Sequence, residues 1–175
     1  MSRTERVRVW PLSVRLLHAA LVLGVATSWF TRESTGPWHL LSGTGLALLA
    51  ALRLGMGLRS RWPTLRFDQF ITGPQAVLGH VSQVLRGQPE RHLGHNPLGG
   101  WMVLALLIQL LALALTGWLY QTDAFWGEAW LADLHAALGW TLLALIALHV
   151  AGVLLMSRVL QENLLRAMID GFKRP

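Results

Sequence analysis

LHAALGWTLLALIALHV, residues 134–150, decides the fold and points to the chemistry. Apart from its two histidines the stretch suits lipid, and as a helix it spans most of a bilayer core. His135 and His149 are 14 residues apart. At about 1.5 Å of rise and 100° of turn per residue, they lie roughly 21 Å apart along the axis and only about 40° apart around it. Both imidazoles therefore look the same way, one near each side of a membrane.

The rest of the chain agrees. Of 175 residues, 53% are hydrophobic and 14% charged, whereas an ordinary soluble domain has roughly 25% charged residues. Four apolar runs account for the difference, at about 14–30, 38–58, 98–119 and 134–156. Each approaches the 20 or so residues that cross a bilayer core. A backbone in lipid must satisfy its own hydrogen bonds, so these runs are expected to be helices. The expected fold is an all-α integral membrane four-helix bundle, one domain over residues 1–175.

Basic residues set the orientation. Arg3, Arg6, Arg8 and Arg15 precede or open the first span, and Arg158, Arg166, Lys173 and Arg174 follow the last. Arg53, Arg59, Arg61, Arg66, Arg86 and Arg91 flank or occupy the long connection 59–97, while only Arg32 falls on the other side. By the positive-inside rule the N- and C-termini and this connection are cytoplasmic. The net charge of +6 is thus a topology signal, and no nucleic-acid partner is expected. The basic N-terminus and first run also have the outline of a signal peptide. That run is long enough to span and contains His18, so it is expected to be retained.

Eight tryptophans, at 10, 29, 38, 62, 101, 118, 126 and 130, fall at or near the expected interfaces, and Trp140 lies inside a span. The absence of cysteine excludes thiolate-bound iron–sulfur centres, covalent c-type haem and disulfides in this chain. Within the long connection, PQAVLGHVSQVLRG (74–87) places Val77, Leu78, Val81, Val84 and Leu85 on one helical face. With Pro74 near its start and Gly87 past its end, it is expected to be a short amphipathic helix on the cytoplasmic surface or against the bundle. HNPLGG (95–100) then opens the third span, with Asn96 as N-cap and Pro97 at the first helical position.

WHLLSGTG (38–45) and LHAALGWT (134–141) both enter the membrane from outside with His-x-x-x-Gly: His39 with Gly43, His135 with Gly139. The same offset brings Arg53 opposite His149. Of the seven histidines, four lie in or at the edge of spans and form two pairs by depth. His18 and His149 share the inner depth, and His39 and His135 share the outer one. A six-coordinate haem needs this arrangement, because two imidazoles approach one iron from opposite faces of a flat macrocycle. Gly43 and Gly139 remove a Cβ where that ring comes close, and Arg15 and Arg53, near the inner pair, suit haem propionates.

A lone histidine at a helix end is ordinarily an interfacial residue, and a lone buried one ordinarily hydrogen-bonds a neighbouring helix. Four in two depth-matched pairs favour ligation. A haem-free zinc or copper transporter, or a scaffold, is the competing reading. Such metal sites usually add carboxylate or sulfur ligands, but no Asp or Glu falls inside a span. His80 and His92 are expected on the solvated surface, and His95 is a candidate contact for a quinone head group or partner. Gly99, Gly100 and Gly117 are expected at helix-packing positions.

The sequence resembles the bacterial cytochrome b561 family, including the b-type cytochrome subunits of nickel–iron hydrogenases. The resemblance is carried by VWPLSVRLLH (9–18), HLLSGTGLALLAALRLGMG (39–57), GHNPLGGWMVLALL (94–107), LHAALGWTLLALIALHV (134–150) and ENLLRAMIDGFKR (162–174). It implies a four-helix core in the bacterial cytoplasmic (inner) membrane carrying two haem b groups, with His18, His39, His135 and His149 as axial ligands. Members often have His-Trp where this chain has His18-Ala19, and some hydrogenase-associated members have a further span.

The expected function is electron transfer across the membrane, between the quinone pool and a redox partner such as a dehydrogenase subunit or small c-type cytochrome. Quinone is the expected substrate, and a homodimer is a further assembly to test. The alternative is a stand-alone superoxide:quinone oxidoreductase. On the outer side Arg32 faces Glu33, Asp123, Glu128 and Asp133, a net −3, which disfavours an anionic substrate and suits a basic partner.

Overall fold

The computed structural model describes residues 6–34 and 36–174; Arg3 of the basic tail lies outside them. In chain order the helices are α1 (Leu12–Phe30), α2 (Trp38–Arg59), α3 (Pro74–Leu85), α4 (Pro97–Leu119), α5 (Ala129–Val159) and α6 (Leu164–Asp170). Among the described residues α1, α2, α4 and α5 are long and apolar enough to cross a membrane. These four agree with the apolar runs, with two differences in extent. Helix α1 begins two residues early, and α5 runs well past both ends of 134–156. Apolarity stops at Asp133, but backbone hydrogen bonding does not: the Glu128 carbonyl accepts from the amides of Leu131 and Ala132, and Leu131 is buried. At the other end Arg158 lies in the last turn, where a cation suits the helix dipole.

The chain divides into two compact units. One comprises Leu17–Leu54 and Ala105–Ile146, and holds parts of all four long helices. Here α1 meets α2 through the hydroxyls of Ser28 and Ser42, 2.7 Å apart. A Cβ on Gly24 would come 2.8 Å from the Leu46 side chain, the kind of close approach small residues allow in membrane helices. Helix α1 also meets α5, with the Trp29 and Trp140 rings edge to face at 4.9 Å. Helix α4 grips α5 through Gln109, whose Nε2 donates to the Leu138 carbonyl at 2.7 Å.

The other unit comprises the chain up to Leu16, Gly55–Leu104, and Ala147 onward. Val9, Trp10, Val14 and Leu65 form its buried cluster, joined by Met56 and Met168. Trp10, placed at an interface by its position in the sequence, is thus a core residue. Strand β1 (Val7–Arg8) pairs antiparallel with β2 (Phe172–Lys173), Val7 opposite Lys173 and Arg8 opposite Phe172. The segments at 7–8 and 172–173 therefore meet, and an even number of crossings allows this by putting them on the same side. Asn163 caps α6 by accepting from the Arg166 amide at 2.8 Å. Gly171 ends it at φ 89°, where a Cβ would also lie 2.7 Å from the Trp10 carbonyl oxygen. Only glycine meets both conditions.

Glu162 knots the unit together. Its carboxylate accepts from Arg91 Nη2 at 3.1 and 3.2 Å and from the Arg174 amide at 2.7 Å. Burial works to raise this carboxyl, but the Arg174 amide, the Arg91 guanidinium and Lys173 outweigh it and hold it below its ordinary range.

Helix α3 forms where its pattern placed it, with Gly73 as N-cap and Pro74 in the first turn. Gly87 takes a positive φ just beyond it. Asn96 Oδ1 accepts from the Gly99 amide at 2.6 Å and caps α4. One expectation fails: His80 is not solvated but 4% exposed. Its ring stands 5.8 Å from that of His92. Leu78 and Leu85 of the apolar face are exposed, whereas Val77, Val81 and Val84 are half-buried and the histidine buried. Burial lowers the His80 imidazole, His92 lowers it further, and Glu90 opposes both.

Candidate functional site

Two of the four candidate histidines come together within one unit. His39, at the start of α2, and His135, in the second turn of α5, hold ring centres 6.0 Å apart with planes at 81°. Each ring is held through Nδ1. That of His39 lies 2.9 Å from the Ser28 carbonyl oxygen on α1. That of His135 lies 2.8 Å from Thr116 Oγ1 on α4. All four long helices thus contribute to this one place.

The spacing fits a shared metal. Metal–imidazole bonds of about 2 Å on either side of one ion, plus the ring radius at each end, put two axial ring centres roughly 6 Å apart. With Nδ1 engaged on both rings, Nε2 is the nitrogen left to coordinate, the usual division of labour for a ligating histidine. Gly43 and Gly139, one turn after each histidine, have no atom within 4 Å of an added Cβ. The backbone there borders open space, as a flat macrocycle requires. Gly117, by contrast, backs directly on the site: a Cβ there would lie 3.2 Å from His135 Cε1. It is a packing glycine, as expected, and it seats the His135 ring. Gly99 and Gly100 pack against the Asn96 side chain and Phe70.

The other candidates fall as follows. His18 is half-buried on α1 and His149 half-buried on α5. The first belongs to the four-helix unit and the second to the terminal unit. Arg53 is buried on α2, 6% exposed, in the span where a charge is most costly without compensation. Arg15 donates through Nη2 to the Ile169 carbonyl on α6, while its Nε is buried with no hydrogen-bond partner. That donor suits a carboxylate. His95 lies in the terminal unit, its ring centre 4.9 Å from that of Trp10 and 4.6 Å from that of Phe70.

Ser28, Thr116 and Gln109 were not among the residues singled out from sequence. A signal for two of them is present: Gln109 and Thr116 are the polar interruptions of a very apolar run, seven residues apart and hence on one face of α4.

Four membrane-length helices define a multi-pass membrane protein, and two of its histidines stand paired between them. The family model for prokaryotic cytochrome b561 matches residues 9–171, and the chain belongs to that family. It is accordingly a b-type membrane cytochrome of electron transfer, in a family that typically binds haem b. Comparison with curated proteins and with solved structures gave no match.

Proposed function

We propose that this cytochrome holds two haem b groups, one at each side of the membrane, and transfers electrons between the quinone pool and a basic redox protein on the outer side. The His39–His135 ring pair, at 6.0 Å with both Nδ1 atoms engaged, is the observation that carries the reading. When bound, haem supplies a one-electron iron couple, and two axial imidazoles favour outer-sphere transfer over oxygen binding at iron.

The chain's own residues do the rest. His39 and His135 would hold the outer group by Nε2; Ser28 and Thr116 hold those rings, and Gly43 and Gly139 leave open space beside them. By their depth in the sequence, His18 and His149 would hold the inner group, and Arg53 and Arg15 would suit its propionates. Both termini and the connection 59–97 lie on the cytoplasmic side, where the basic residues concentrate.

Charge supports the choice of partner. Arg32 is held by Glu33 at 2.9 Å, and Asp123, Glu128 and Asp133 stand exposed beside Trp126 and Trp130. An aromatic surface rimmed by carboxylates steers a cationic protein and repels an anion such as superoxide. Pyridine haemochrome assay of the purified, haem-supplied protein tests the reading. Two haems per chain are expected; a folded chain with one or none overturns it.

A further inference from the structure

We propose that Thr116 is a positioning residue for His135, fixing its ligating tautomer and setting the redox potential of the iron it holds. The inference rests on the assignment of His39 and His135 as a ligand pair and extends it to a residue on a third helix.

The assignment follows from counting protons. A threonine hydroxyl has one. Thr116 Oγ1 lies 3.0 Å from the Ala112 carbonyl oxygen and 3.1 Å from that of Leu113, and both oxygens can only accept. The hydroxyl proton therefore goes to the preceding turn, as it does for threonine within helices. Oγ1 is left as an acceptor, 2.8 Å from His135 Nδ1. Nδ1 accordingly carries the hydrogen and Nε2 the lone pair. The Ser28 carbonyl dictates the same tautomer on His39, because it too can only accept from Nδ1.

The Leu113 carbonyl also faces the His135 ring, but the group at Nδ1 differs in kind from that of His39. A backbone carbonyl is present whatever residue occupies position 28. The hydroxyl belongs to one side chain, and Thr116 is buried, so water does not replace it readily. An acceptor on Nδ1–H makes the imidazole more basic toward a metal. That favours the more positive, oxidised iron and lowers its potential. Helix α4 strengthens the effect by holding α5 at a second point: Gln109 donates to the Leu138 carbonyl at 2.7 Å, next to Gly139. Gly117 lets the imidazole seat against the α4 backbone.

The test uses the full chain in detergent, with Thr116→Val and Thr116→Ser. Haem content, a redox titration and the nitrogen-15 shifts of histidine without haem are the readouts. Valine, of the same shape, is expected to raise one midpoint potential and leave the other unchanged; serine should keep both near wild type. Loss of one haem from a folded valine variant, with retention in the serine variant, also supports the role. A valine variant with wild-type haem content and potentials overturns it. So does wild-type His135 carrying its hydrogen on Nε2, a measurement that needs no variant to fold. His135→Ala with undiminished haem overturns the ligand pair itself, a result distinguishable from failure of the Thr116 role alone.

Discussion

His39 and His135, 96 residues apart in sequence, place their ring centres 6.0 Å from one another on two helices that run in the same direction. Their partners come from the other two long helices, Ser28 from α1 and Thr116 from α4. A site assembled this way depends on both rings at once.

His39→Ala and His135→Ala are therefore expected to remove the same haem. Each should lower the content from about two to about one per chain, and the double variant should do no worse than either single one. His149→Ala or His18→Ala removes the other, so His39→Ala combined with His149→Ala leaves none. Pyridine haemochrome counts on folded protein check all of these.

Gly139→Ala separates the needs of the helix from those of the cofactor. The added Cβ meets nothing within 4 Å, so the haem-free protein should gain about 1 kcal/mol from helix propensity. The methyl group enters the space beside His135, so haem affinity should fall. Thermal unfolding without haem and a haem titration are expected to move in opposite directions.

Gly100→Ala has no such benefit. Its Cβ would lie 2.6 Å from the Phe70 carbonyl oxygen, a backbone atom that yields little. A loss of about 1–3 kcal/mol is expected from overpacking. Gly24→Ala, which meets the flexible end of Leu46 at 2.8 Å, should cost less. Detergent-based melts of the two variants provide the comparison.

Glu162 makes stability depend on acid. Its carboxyl lies below the ordinary range in the folded chain, so protonation is resisted more when folded than when unfolded. The stabilisation is complete above the unfolded value of about 4.3 and is lost as pH falls through the lower folded value. Glu162→Gln should cost about 1–3 kcal/mol near neutral pH and flatten the acid limb of a stability–pH profile.

Replacing Asp123, Glu128 and Asp133 by their amides should slow association with a basic c-type cytochrome on the order of 10-fold at low salt. Haem content should not change. Stopped-flow reduction at rising ionic strength checks this, because the difference between variant and wild type should vanish as salt screens it.

Much of this was legible in the chain itself. Lipid leaves the backbone no partner but its own helix, so apolar length alone identified the four spans. The helical period converts residue number into depth and direction, and this alone pairs His39 with His135. Capping followed as well, because the Asn96 and Pro74 signals act within one turn. Charge asymmetry gives the expected orientation, with the basic side cytoplasmic.

What remained depended on which segments are neighbours. The two-residue pairing of Val7–Arg8 with Phe172–Lys173 is too short to leave a pattern. His80 is buried rather than solvated because it stands against the His92 segment of the same connection, a contact that helical periodicity does not reveal. Thr116 and Ser28 reach the histidines from other helices. Apolar periodicity says which residues a helix hides, but a hydrogen bond across helices depends on which helix stands opposite and at what height, and that is fixed only when all four have packed.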